Sequence, residues 1–198
     1  MVTPAEPAVV KAIMRREATA RRGALPAAER QQAAETIAAR PFPVAIPPGA
    51  IVSGFMPLKS EVNPLPLLRK LAEAGAALAL PVVAGKGQPL VMRGWAFGGP
   101  LASGVWGIRE PMPDASAVDP DILIVPLLMF DRRGHRLGYG AGYYDMTITA
   151  LRAKKAIVAV GIAYAAQEVD TVPITPRDAR LDLVLTEQET IDFRDSGL

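Results

Sequence analysis

The stretch RLGYGAGYYD, residues 136–145, holds three glycines, three tyrosines, an arginine and a carboxylate within ten positions. Gly138, Gly140 and Gly142 permit unusual backbone angles and close approach of a ligand. Arg136 supplies a charged donor, and Leu137 and Ala141 complete the run. Tyr143 and Tyr144 offer flat faces for stacking and hydroxyls for orientation. Asp145 is a hard oxygen donor, which next to a phosphate suits magnesium. Backbone N–H groups where such a loop enters a helix hold anions well. Glycines alone would equally describe a tight turn with packed tyrosines. The spacing is neither G-x-x-x-x-G-K-[ST] nor G-x-G-x-x-G, so it is no standard nucleotide loop. The company of an arginine, paired tyrosines and an aspartate points to a phosphate site.

This loop needs a scaffold, and the hydrophobic pattern predicts one. Residues 5–22 read as a helix ended by Gly23, and Pro26 opens a second helix to about Arg40. Strands are expected at 50–56, 76–83, 89–97, 121–130, 155–164 and 181–187, with helices at 63–75, N-capped by Asn63, and at about 142–152. Residues 98–120, rich in glycine and proline, read as loop. Strands alternating with helices predict an α/β fold. It has a mostly parallel, Rossmann-like sheet with helices on both faces, plus two N-terminal helices, in a single domain over 1–198. The glycine loop follows the most apolar strand, DILIVPLLMF, and ligands of open α/β sheets bind at the carboxyl ends of strands.

Composition narrows the chemistry. Half of the 198 residues are hydrophobic and 21% are charged, which supports a core. A net charge of +2 without a basic run argues against nucleic acid as partner. The absence of cysteine excludes disulfides, thiolate metal sites and thiol catalysis, and a single histidine, His135, excludes multi-histidine metal sites. His135 reads as an exposed loop residue without a role. No apolar run reaches a membrane span and the first residues lack a signal-peptide core, so a cytoplasmic protein, not membrane-bound, is expected.

The segment VPLLMFDRRGHRLGYGAGYYD, residues 125–145, resembles the signature of the 5-formyltetrahydrofolate cyclo-ligase (5,10-methenyltetrahydrofolate synthetase) family: a Pro, then Phe-Asp, Gly, Arg-Leu-Gly and Gly-x-Gly-Tyr-Tyr-Asp. Lys11 and Arg15 match that family's Lys-x-x-x-Arg helix, FMPLKSEV matches its folate-binding loop through Met56 and Glu61, GVWGIREP (104–111) matches its glycine–aromatic turn, and VPITPRDARLDLVLTE (172–187) its closing segment. The resemblance implies an ATP- and Mg2+-dependent enzyme. It would convert 5-formyltetrahydrofolate to 5,10-methenyltetrahydrofolate through a phosphorylated formyl oxygen, with ADP and phosphate released. It implies that Lys11, Arg15 and residues 136–144 hold ATP. Phe55, Met56, Glu61, Trp106, Tyr139, Gly140, Gly142 and Tyr143 would hold the folate, and Asp145 and Asp178 the Mg2+. Lys11, Arg136 and Tyr143 would serve catalysis. Asp182 is a nearby rival to Asp178, and Trp95 to the other aromatics. Arg177 and Met146 depart from the family's usual His and Arg. A monomer is expected. A non-catalytic nucleotide- or folate-binding protein on the same scaffold is the alternative.

Overall fold

The computed structural model describes residues 7–194. The chain runs α1 (Pro7–Ala24), α2 (Ala27–Ala39), β1 (Ile51–Ser53), α3 (Leu65–Glu73), β2 (Ala77–Val82), β3 (Val91–Gly94), β4 (Leu101–Ser103) and β5 (Arg109–Pro111). It continues through β6 (Ile122–Pro126), β7 (Met129–Phe130), β8 (Arg136–Leu137), α4 (Tyr143–Arg152), β9 (Val158–Ile162), β10 (Leu183–Leu185) and β11 (Thr190–Asp192). Residues 5 and 6 of the expected first helix lie outside the described residues. That helix passes Gly23 and stops before Pro26, which disfavours helix at the preceding residue. The N-cap of α3 is Pro64 rather than Asn63, although the Asn63 side chain accepts from the Leu65 N–H at 3.1 Å just ahead of the helix.

Seven strands form one sheet in the order β11-β10-β9-β6-β1-β2-β3. From β2 through β1, β6 and β9 to β10 every pairing is parallel, and the two edge strands are antiparallel. The side chains of β6 divide by alternation. Ile122 and Ile124 pack on one face with Leu67, Leu68 and Leu71 of α3 and Ile37 of α2. Leu123 and Val125 pack on the other face with Ile148 and Leu151 of α4. A strand buried on both faces reads as an unbroken apolar run, which is why β6 stood out in the sequence. Among the described residues, no helix is long and apolar enough to cross a membrane.

The chain leaves β1 toward β2 on one side, whereas β6 lies on the other side of β1. The order therefore reverses between β1 and β6, and a crevice opens beyond their carboxyl ends. Gly54 ends β1 there because α3 comes close: a Cβ at this position would lie 2.2 Å from Leu68 Cδ1.

Three expectations need correction. The apolar run 121–130 is two strands, not one. β6 ends at Pro126, which has no N–H to donate, and Met129 and Phe130 pair with Leu137 and Arg136 in a separate hairpin. The stretch 98–120 is not all loop, since Leu101–Ser103 pairs antiparallel with Arg109–Pro111. The stretch 181–187 does not hold the last strand: a further edge strand, β11, follows it after a turn in which the Thr186 hydroxyl accepts from the N–H groups of Gln188 and Glu189. Strands β4, β5, β7, β8 and β11 have only two or three residues each, too few for alternation to register.

The β7–β8 hairpin is closed by Asp131, whose carboxylate is fully buried. It accepts from the N–H groups of Arg133 (2.9 Å), His135 (3.1 Å) and Val172 (3.0 Å), and from the Arg133 guanidinium (3.1 Å). His135 is not a free loop residue: it is half-buried, with Nδ1 3.2 Å from Asp131 Oδ2. Helix α1 packs through Ala18 on this hairpin, against Leu128, Met129, Leu137 and Val172, rather than on the main sheet.

Burial raises the Asp131 carboxyl, but the Val172, Arg133 and His135 amides and the Arg133 guanidinium outweigh it and hold the group below the usual carboxylate range. A depressed folded pKa contributes stability above the unfolded value of about 3.9, and loses it as pH falls through the folded value. Asp131→Asn is therefore expected to cost about 2–4 kcal/mol near neutrality. The gap to the parent chain should shrink in urea melts run below about pH 4. Gly54→Ala is expected to cost about 1–3 kcal/mol by overpacking against Leu68. Combined with Leu68→Ala in the same denaturation assay, the loss should be less than additive.

Candidate active site

A cleft of about 660 Å³ opens at the crevice between β1 and β6. Every residue singled out from the sequence for ligand, metal or chemistry lines it: Lys11, Arg15, Phe55, Met56, Glu61, Trp106, the whole run Arg136–Asp145, and Asp178. These come from α1, the β1 exit, the β4–β5 hairpin, the β8–α4 connection and the 175–179 loop. Residues far apart in sequence converge because β7–β8 lifts the glycine run over the strand ends and α1 lies across it.

One end of the cleft is built from opposed charges. Lys11, 8% exposed, donates to Asp178 Oδ2 at 2.5 Å. The same oxygen accepts from the Thr175 N–H and hydroxyl at 2.6 and 3.1 Å. Burial raises the Asp178 carboxyl, while Lys11 and Thr175 outweigh it and hold the group down. Arg136, 7% exposed, donates to Asp145 Oδ1 at 2.8 Å and to the Ala179 carbonyl. Burial pushes its guanidinium below the ordinary arginine value, opposed by Asp145 and Asp178. Asp145 Oδ1 also accepts from the Ala179 N–H at 3.0 Å. The two carboxylates thus sit on adjacent anchor points of one loop. Asp145 Oδ2 and Asp178 Oδ1 accept no hydrogen bond from the described residues.

The glycine run has two functions of backbone. Arg15 donates to the Gly138 carbonyl at 2.9 Å, and its guanidinium lies where a side chain on Gly140 (φ +104°) would sit. Gly142 enters α4 with φ 70°, and no side chain caps the helix. Its first-turn amides remain available to an anion. Gly138 differs from expectation: it is not in the left-handed region and a Cβ there would meet nothing.

The other end gathers aromatic and apolar side chains around Glu61, with Arg109 and Glu110 of the β4–β5 hairpin beside them. Glu61, 8% exposed, accepts from the Leu58 N–H (2.7 Å) and the Tyr139 hydroxyl (2.6 Å). Burial raises its carboxyl, with Tyr139, Leu58 and Arg22 pulling the other way. Trp106 stands at the tip of the β4–β5 hairpin, left-handed (φ 58°) and 70% exposed, its ring centroid 6.2 Å from that of Tyr143. The Tyr144 hydroxyl is buried without a hydrogen-bond partner; burial and Glu61 raise it above the usual tyrosine value.

The structure separates the rivals. Asp182 is absent from the cleft and accepts from Arg152 (2.8 Å) and the Ala159 N–H (2.7 Å). Trp95 belongs to the core, donating to the Gly99 carbonyl at 3.2 Å, while Phe55 is both core and cleft wall. Neither Arg177, which is exposed, nor Met146 lines the cleft. Sequence reasoning missed Lys59 (φ 53°), Arg109 and Glu110, which also line it. Only the position of Arg109 and Glu110 beside the glycine–aromatic turn hinted at them. Among the described residues, no three His, Cys, Asp or Glu side chains cluster as a metal cage.

Comparison with known proteins identifies the family. The 5-formyltetrahydrofolate cyclo-ligase family profile matches residues 7–187. The 5-formyltetrahydrofolate cyclo-ligase of Mycolicibacterium smegmatis is 34% identical over 150 residues, 72% of this chain and 76% of that protein. The Escherichia coli K12 enzyme of the same name is 32% identical over 150 residues, 72% of this chain and 80% of its own. The solution structure of Aquifex aeolicus 5,10-methenyltetrahydrofolate synthetase superposes with a TM-score of 0.78 at 28% identity, covering 94% of each chain. The chain belongs to the 5-formyltetrahydrofolate cyclo-ligase family, ATP-dependent ligases of folate one-carbon metabolism that convert 5-formyltetrahydrofolate to 5,10-methenyltetrahydrofolate.

Proposed function

We propose that the two ends of the cleft hold the two substrates side by side, ATP phosphates at the charged end and the pterin at the aromatic end. The observation that carries this reading is the separation of the cleft into a cation-and-aspartate end and a Glu61-and-aromatic end, joined by the glycine run.

Lys11, Arg15 and Arg136 place positive charge over the phosphates, with the loop amides as further donors. Incoming phosphate replaces the carboxylates as partner of Lys11 and Arg136. Asp145 and Asp178 would hold Mg2+, each through an oxygen that accepts no hydrogen bond among the described residues. Two carboxylates with water and phosphate oxygens suit this ion, which seldom takes an all-protein cage. When bound, Mg2+ neutralises charge developing between the phosphates. Glu61, as an acceptor-only carboxylate, pairs with the ring N–H and amino donors of the pterin. Tyr143, beside Trp106, orients the formyl group.

The formyl oxygen attacks the γ-phosphorus and the bond to ADP breaks. The N10 lone pair then forms the new C–N bond, the C–O bond to phosphate breaks, and the N10 proton leaves with phosphate or solvent. The protein contributes placement and charge rather than a nucleophile.

Purified protein mixed with 5-formyltetrahydrofolate, ATP and Mg2+ is expected to produce the methenyl chromophore in the near ultraviolet, with all three required. No signal from folded protein would overturn the reading. Lys11→Ala is expected to lower kcat/KM for ATP by about 100-fold or more. Glu61→Gln should raise the folate KM by roughly tenfold and leave the ATP KM unchanged. An unchanged folate KM in Glu61→Gln would remove that residue from the pterin site.

A further inference from the structure

Lys11, Arg15, Ala18 and Arg22 lie at helical spacings of four, three and four, so they form one stripe of α1. Ala18 alone faces the apolar hairpin cluster. Arg22 closes the stripe at 2% exposure, outside the cleft and without a part in phosphate binding. A guanidinium so desolvated is costly unless its donors and its charge are both answered. Its donors go to three neutral acceptors: Ser60 Oγ (3.1 Å), the Leu127 carbonyl (3.3 Å) and the Tyr139 hydroxyl (2.6 Å). Among the described residues no carboxylate pairs with it directly. The Tyr139 hydroxyl in turn donates to Glu61 Oε1 at 2.6 Å. The counter-charge of Arg22 is therefore Glu61, one hydroxyl away.

This relay ties four places together. Ser60 adjoins Glu61 in the chain, Leu127 follows β6, Tyr139 sits in the glycine run, and Arg22 rides on the helix that carries Lys11 and Arg15. The Tyr139 ring is half exposed, yet its hydroxyl is held from both sides.

We infer that Arg22 is a positioning residue for the folate half of the cleft. Through the Tyr139 hydroxyl it fixes the Glu61 carboxylate in its acceptor orientation and locks that carboxylate to the helix bearing the phosphate-facing cations. The inference rests on the assignment of Glu61 to the pterin. The groups facing Glu61 are Arg22 from α1, Tyr139 from the loop, Tyr144 from α4 and Tyr164 after β9, whose hydroxyl donates to the Glu61 carbonyl, with the Leu58 N–H on its own segment. Of these, Arg22 and the Tyr139 donor favour the ionised carboxylate, against burial. Their removal makes Glu61 easier to protonate, so folate binding fails at higher pH.

The test compares Tyr139→Phe, Arg22→Met, Arg22→Lys and Glu61→Gln by steady-state kinetics in each substrate, with melting temperatures measured alongside. Tyr139→Phe deletes one oxygen and keeps the ring, so it decides the matter if Arg22→Met does not fold. Tyr139→Phe and Arg22→Met are expected to raise the folate KM about five- to tenfold, and Arg22→Met, outside the cleft, to leave ATP KM and kcat within about twofold. The acid limb of folate kcat/KM should move to higher pH, and Arg22→Lys, which keeps the charge without the planar fork, should recover part of the loss. If Glu61→Gln raises the folate KM while Tyr139→Phe leaves both that constant and the acid limb in place, the relay is idle and the inference fails. If Glu61→Gln itself leaves the folate KM unchanged, the pterin assignment fails and takes the inference with it.

Discussion

One buried carboxylate sets the geometry on which the cleft depends. Asp131 has no exposed surface and spends its oxygens on three backbone amides and the Arg133 side chain. Two of those amides close the turn that returns the chain as β8 and delivers Arg136 to the cleft. The third, from Val172, anchors the segment leading to Asp178. Both sides of the charged end therefore hang from a single side chain. Leaving several buried N–H groups without acceptors would be expensive, and this expense specifies the hairpin.

Around that anchor the molecule balances desolvated charge locally. Lys11 meets Asp178, Arg136 meets Asp145, and Arg22 meets Glu61 through Tyr139. Lys11–Asp178 and Arg22–Glu61 join segments distant in sequence, so they act as tertiary staples, while Arg136–Asp145 braces the glycine run across its own length. A cation paired to a carboxylate can trade that partner for an anionic ligand without being stranded in a low-dielectric environment. The segment 175–179 participates in both of the direct pairs. Asp178 lies within it and Ala179 binds Asp145 and Arg136.

The sheet determines where this array sits. The reversal of strand order between β1 and β6 opens the crevice, and α3 presses so closely on the end of β1 that only glycine fits at position 54. The β4–β5 hairpin then brings Trp106, Arg109 and Glu110 over the aromatic end from outside the main sheet. Trp106 keeps a left-handed backbone while mostly exposed, flanked by Gly104 and Gly107. Its main ring neighbour is Tyr143 of the glycine run.

The sequence by itself determined the parallel α/β core, because strands such as Ile122–Pro126, buried on both faces, read as continuous apolar runs and the helices between them carry 3.6-residue periodicity. It also determined the residue types of the cleft. Arg136–Asp145 is contiguous, and Lys11, Glu61 and Asp178 stand in segments with recognisable patterns. Only the tertiary structure decided which acidic residue joins that cleft, Asp178 rather than Asp182, since the choice depends on which loop Lys11 and Ala179 meet in space. It also decided that Trp95 is core and Trp106 cleft, that the run after Pro126 turns away into a hairpin, and that Arg22 answers Glu61 across a tyrosine. Short strands lack the length to show a period, and pairings between charges on separate segments, such as Arg22 with Glu61 or Lys11 with Asp178, leave no local pattern to read. They follow only once burial makes an unpaired charge costly.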